Sequence, residues 1–84
     1  MKPVRIYTTP ICPYCVRAKA LLKKKGVEPE EIDVFMDSDA RSDMEKKSGG
    51  ARTVPQIFVG DTYVGGCDEL YALERSGKLD SLLA

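Results

Sequence analysis

"TTPICPYCVRAKALL", residues 8–22, sets two cysteines, Cys12 and Cys15, two residues apart where a loop turns into a helix. Pro13 suits the first turn of a helix, because the N–H it lacks would have no partner there. Ala18, Leu21, Leu22 and Cys15 then fall on one face at helical spacing. Gly26 stands where a left-handed cap is expected, so the spacing predicts a helix over 13–25. The alternating run at 4–7 before it reads as a strand. "EEIDVF", 30–35, reads as a second strand, with Ile32 and Val34 on one face.

Working outward, "DSDARSDMEKKSGG", 37–50, reads as a helix capped by Asp37 or Ser38 and stopped by Gly49 and Gly50. Its apolar stripe is thin, only Ala40 and Met44. "PQIFVGDTYVGG", 55–66, reads as a hairpin with strands around 57–59 and 63–64 and a Gly60-Asp61 turn. A last helix begins near Cys67-Asp68, carries Leu70, Tyr71 and Leu73, and ends near Ser76-Gly77. The tail "KLDSLLA" packs back on the core through Leu79, Leu82 and Leu83. The order is βαβαββα. A helix between the first two strands makes them parallel, and the hairpin strands are antiparallel. The expected architecture is an α/β, four-stranded mixed sheet flanked by three helices. C-x-x-C in a βαβ setting is the sequence mark of a thioredoxin-like redox fold.

Composition narrows the function. The 84 residues make one expected domain, 1–84, with 43% apolar and 31% charged residues. Thirteen basic and thirteen acidic side chains cancel, so no bulk charge favours nucleic acid or an acidic membrane. Lys23-Lys24-Lys25 is the one basic run, and it fits a helix C-terminus, where cations complement the dipole. No apolar run approaches the ~20 residues of a membrane span, and the first ten residues carry no apolar signal core. A cytoplasmic monomer is expected. Cytosolic thiols are kept reduced, so a C-x-x-C there is catalytic or metal-binding before it is structural. A zinc or iron–sulfur site usually needs four ligands. This chain has no histidine and only one cysteine besides the pair. A disulfide across so few residues would constrain the unfolded chain little.

Working thiols remain. Cys12, just before the helix, can face the free N–H groups of the first turn. These groups and the helix dipole lower its pKa from the roughly 8.5 of a free cysteine. Cys15, one turn on, is set back into the protein. The pair can cycle between dithiol and disulfide through a mixed disulfide. In "RTVPQIF", 52–58, Pro55 opens a strand, where proline is tolerated in the ordinary trans form. A cis Val54–Pro55 bond would turn the Val54 backbone toward a bound extended peptide. In "GGCDEL", 65–70, glycines let a ligand approach, and the N–H groups of Cys67 and Asp68 open toward an anion. With the Asp68 carboxylate they suit the α-carboxylate and α-amine of an amino-acid-like group. An ordinary Asp cap after a hairpin reads the same residues equally well.

"CPYC" followed by "RAKALL", then "TVPQIF", then "GGCDEL" resemble in order the three blocks of the small bacterial dithiol glutaredoxins. The resemblance implies a thioredoxin fold and glutathione-dependent thiol–disulfide exchange with no bound cofactor. Glutathione is then the reducing co-substrate, itself re-reduced by glutathione reductase. Disulfide-containing or glutathionylated proteins are the implied partners. It implies Cys12 as the attacking thiolate and Cys15 as the resolving thiol. It implies glutathione bound by Val54 before a cis Pro55, with Thr53 in the same block. Gly66, Cys67 and Asp68 would hold its γ-glutamyl end. Tyr14 and Gln56 would line the groove, Gln56 near the glycine end. Pro13 and Cys15 argue against an iron–sulfur cluster shared by two chains. One position departs from the family. Many members carry lysine three residues before the first cysteine, and here that residue is Thr9. Arg52 and Arg17 are the candidates to replace the missing charge. Cys67, the odd thiol, reads as a small, partly buried residue valued for its backbone N–H, in preference to a regulatory oxidation site.

Overall fold

The computed structural model describes residues 1–84. The elements run β1 (Val4–Thr8), α1 (Pro13–Lys24), β2 (Glu30–Asp33), α2 (Ser38–Lys47), β3 (Gln56–Val59), β4 (Thr62–Gly65), α3 (Cys67–Arg75) and α4 (Leu79–Leu83). They form a four-stranded mixed sheet in the order β2-β1-β3-β4. β1 is central. It pairs parallel with β2, Arg5 opposite Glu30 through Thr8 opposite Asp33. It pairs antiparallel with β3, Val4 opposite Val59 through Tyr7 opposite Gln56. β3 and β4 form the expected hairpin.

Alternation along β1 divides the core. Val4 and Ile6 point to one face, where they meet Ala18, Leu21 and Leu22 of α1 and Leu70 of α3. Each fully buried Leu there contributes about 2 kcal/mol of transfer free energy. Tyr7 points to the other face and packs with Val34 and with Met44 of α2, Phe58 crossing its ring edge-on. Met44 is the one fully buried side chain of α2, so polar contacts hold this helix as well. The Asp37 carboxylate accepts the Ala40 N–H at 3.0 Å and caps it. The buried Tyr7 hydroxyl donates to Asp43 at 2.7 Å, and Lys47 pairs with the same carboxylate at 3.2 Å. The Tyr7 hydrogen bond, then Lys47, hold the Asp43 carboxyl below its ordinary range.

Two boundaries differ from expectation. β2 stops at Asp33, because the Asp33 carboxylate accepts the Phe35 N–H at 2.8 Å and turns the chain. The tail that packs back on the core does so as a fourth helix, so four helices flank the sheet, not three. Leu79 and Leu83, one turn apart, are both buried, and Lys25 clamps Asp80 at 3.0 Å and Glu74 at 2.7 Å. Gly26 has a φ of 82° at the end of α1, the left-handed cap expected of it.

Candidate active site

The C-terminal end of β1 delivers residues 9–12 to the start of α1. Cys12 is the N-cap of that helix, with extended backbone, and Pro13 occupies its first turn. The Cys12 Sγ accepts the Cys15 N–H at 3.1 Å. The sulfur thus takes the place a serine or aspartate oxygen takes at most helix starts. No acidic residue lies in the first turn of α1 to oppose negative charge on it. Cys12 and Cys15 are joined as a disulfide, their Cα atoms 5.2 Å apart. Cys12 is 8% exposed and Cys15 1%, so Cys12 is the more accessible residue of the pair. The Val54 carbonyl lies 3.9 Å from the Cys12 Sγ.

The Val54–Pro55 bond is cis. The general expectation of a trans bond at the start of a strand is corrected in favour of what the resemblance implied. Beside the disulfide lies an open groove of about 330 Å³. Tyr14, Thr53, Val54, Pro55, Gly66, Cys67 and Asp68 line it, joined by Glu69. Neither cysteine lines this groove, but Tyr14 between them and Val54 against the Cys12 Sγ do; two wider concavities, one by Arg5 and Asp61, the other between β4 and α3, include neither of those residues.

Seven of the eight residues expected around the pair are thus in one groove. Gln56 is the exception. It is 4% exposed and does not line the groove. Its amide donates to the Thr53 carbonyl at 3.0 Å and to the Thr53 hydroxyl at 3.3 Å, and its oxygen accepts the Tyr63 hydroxyl. Its polar atoms brace the turn that carries Thr53. The alternation of β3 turns its side chain inward, and the sequence block does not reveal that.

Glu69 is the residue sequence reasoning missed. Its carboxylate accepts the Gly66 N–H at 2.7 Å, closing the turn into α3. Glycine followed three positions later by glutamate at a helix start is a readable signal for it. A Cβ at Gly65, which has a φ of 116°, would lie 2.8 Å from that same carboxylate oxygen. One on Gly66 would meet the Pro55 carbonyl at 3.3 Å. The two glycines let the Pro55 turn and the α3 start close into one wall. Cys67 is buried, and burial raises its thiol pKa; Arg17 pulls it down, while Asp68 and Glu69 push it up. Thr9 is half-buried and brings no charge.

A site of this kind, a capping cysteine with a resolving neighbour beside a groove, can exchange disulfides and needs no metal or general base. Known proteins agree with that reading. The glutaredoxin family model matches residues 4–64. The chain is 56% identical over 84 residues to a glutaredoxin of Pseudomonas aeruginosa, covering 100% of this chain and 99% of that one. It is 52% identical over 83 residues to glutaredoxin 3 of Escherichia coli, covering 99% of each. The solution structure of a Brucella melitensis glutaredoxin superposes with a TM-score of 0.85 at 59% identity, over 99% of this chain and 89% of that one. A buckwheat glutaredoxin–glutathione complex superposes with a TM-score of 0.86 at 32% identity, over 98% and 76%.

Proposed function

The chain belongs to the glutaredoxin family of thiol–disulfide oxidoreductases, and on that premise we propose that it uses glutathione as reductant, with Cys12 attacking and Cys15 resolving. The observation that carries the division of labour is the pairing of cap and depth. Cys12 accepts a helix N–H and is the more exposed residue, whereas Cys15 is almost wholly buried. The groove supports the choice of glutathione. It starts beside the Cys12 sulfur and ends at the start of α3, and the similar buckwheat protein is a glutathione complex.

With a glutathionylated substrate, the Cys12 thiolate attacks the glutathione sulfur. The substrate leaves as a thiolate and takes up a proton, and Cys12 carries glutathione as a mixed disulfide. A second glutathione thiolate attacks the glutathione sulfur of that intermediate. Oxidised glutathione forms and the Cys12 thiolate returns. With a protein disulfide, Cys12 forms a mixed disulfide to one substrate sulfur and releases the other. The Cys15 thiolate then attacks the Cys12 sulfur, frees the substrate and closes the internal disulfide. Two glutathiones reopen it. Glutathione reductase and NADPH reduce the oxidised glutathione.

In the groove, the Val54 backbone pairs with the cysteinyl part of glutathione, between Tyr14 and Pro55. Gly66, Cys67 and Asp68 receive the γ-glutamyl end. Protein disulfides and glutathionylated proteins are the substrates of this scheme. The test is the coupled glutathione, glutathione reductase and NADPH assay on a small glutathione mixed disulfide. Glutathione-dependent turnover is expected from wild type and Cys15→Ser and none from Cys12→Ser. Equal activity of the two single-cysteine variants refutes the assignment.

A further inference from the structure

Tyr14 and Arg17 stand three residues apart on α1, on neighbouring positions of one helix face. The Arg17 guanidinium carbon lies 5.9 Å from the Tyr14 ring centroid and 5.4 Å from that of Tyr71 on α3. The Tyr71 hydroxyl donates to the Arg17 carbonyl at 3.2 Å, tying the two helices together at this point. Two aromatic faces thus hold the cation at the α1–α3 junction. Its side chain takes part in no ion pair and no hydrogen bond. A guanidinium fixed in place with its donors free is prepared for an anion.

The position of that cation is specific. Tyr14 lines the groove, and Arg17 lies close enough to Cys67 to favour its thiolate. Arg17 is not itself in the groove wall; its guanidinium lies against Tyr14, which is, and on the side of α1 that meets α3 through Tyr71. Arg52 is different. It pairs with Glu45 of α2 at 3.4 Å and is 84% exposed, so its charge is already answered elsewhere. A cation against one groove-lining residue, Tyr14, and a carboxylate on another, Asp68, match the α-carboxylate and α-ammonium of one amino acid.

We propose that Arg17, braced between Tyr14 and Tyr71, is the residue that selects the α-carboxylate of the γ-glutamyl group, opposite an ammonium held by Asp68. This rests on the reading that glutathione is the reductant. It also means that Arg17 does not stand in for the charge absent at Thr9. It strengthens the γ-glutamyl end, not the glycine end.

The experiment compares wild type, Arg17→Met and Arg17→Lys with glutathione, with γ-aminobutyryl-cysteinylglycine, which lacks only the γ-glutamyl α-carboxylate, and with dithiothreitol. Methionine keeps an aliphatic stem between the two rings. With glutathione, Arg17→Met is expected to lower kcat/KM about five- to tenfold through KM. Arg17→Lys restores part of the loss. With the analogue and with dithiothreitol, Arg17→Met matches wild type. An equal loss with glutathione and the analogue overturns the proposal, as does no loss with either while wild type prefers glutathione. A wild type that treats glutathione, the analogue and dithiothreitol alike overturns the glutathione reading itself, and Arg17 falls with it.

Discussion

Cys12 and Cys67 both stand at the start of a helix, and their surroundings set them apart. Cys12 caps α1, accepts an N–H from one turn ahead, and has no acidic residue in that turn. Cys67 is the first residue of α3 and is followed at once by Asp68 and Glu69. Its thiol is buried and pushed up, by burial first and by those two carboxylates after, with Arg17 only partly opposing them. A helix start alone therefore does not make a thiolate. The sulfur must accept the free N–H, and the first turn must lack competing negative charge. One region is built to react and the other to pack.

The largest effect is expected on turnover. Cys12→Ser should lower glutathione-dependent reduction by more than about a thousandfold. Cys67→Ser should leave it within about twofold, since a small buried residue is replaced by one of similar size. Comparable losses in the two variants would erase the contrast. A selective effect comes next. Cys15→Ser should keep reduction of a small glutathione mixed disulfide and lose reduction of a protein disulfide. A variant that reduces both equally well would mean that Cys15 does not resolve. Alkylation of the reduced protein with iodoacetamide sharpens the comparison further. Cys12 should be modified at neutral pH. Cys67, its thiol raised, should need a more alkaline solution than an ordinary cysteine, because the thiolate appears only as pH climbs through the raised value. Peptide mapping across pH checks this, and coincident profiles count against it. The smallest effect concerns the Arg17 cation. Its removal in Arg17→Met should move the Cys67 profile to still higher pH, and a shift the other way would show that the cation does not act on that thiol.

The same contrast marks how far the chain could be read before its fold was known. The α1 start was legible because C-P-x-C states a cap, a first-turn proline and a face at helical spacing in one short run. The strands of the core were legible from alternation, with Val4 and Ile6 on one face and Tyr7 on the other. The sequence order βαβαββα stands, with α4 added. From sequence that last helix is legible only as a short tail whose leucines pack back on the core. Five residues show little period, and an ion pair to Lys25 and a backbone hydrogen bond from Lys2 help to fix it from outside the segment.

At the groove, local signals carried Gly66, Cys67 and Asp68, but long-range ones were invisible. Nothing near Pro55 in the sequence announces the cis bond, which only the resemblance implied. The Gln56 side chain, turned inward by the alternation of β3, is held there by Tyr63 across the hairpin. The brace around Arg17 joins residues 14, 17 and 71, which no window of sequence contains. Contacts between distant segments are what sequence periodicity cannot supply.

The most direct measurement of the central claim is to trap the intermediate. The Cys15→Ser variant is treated with oxidised glutathione, digested without reductant and mapped by mass spectrometry. A single glutathione on the peptide containing Cys12, with Cys67 unmodified, is the predicted result. Glutathione on Cys67, or none on Cys12, would contradict the account.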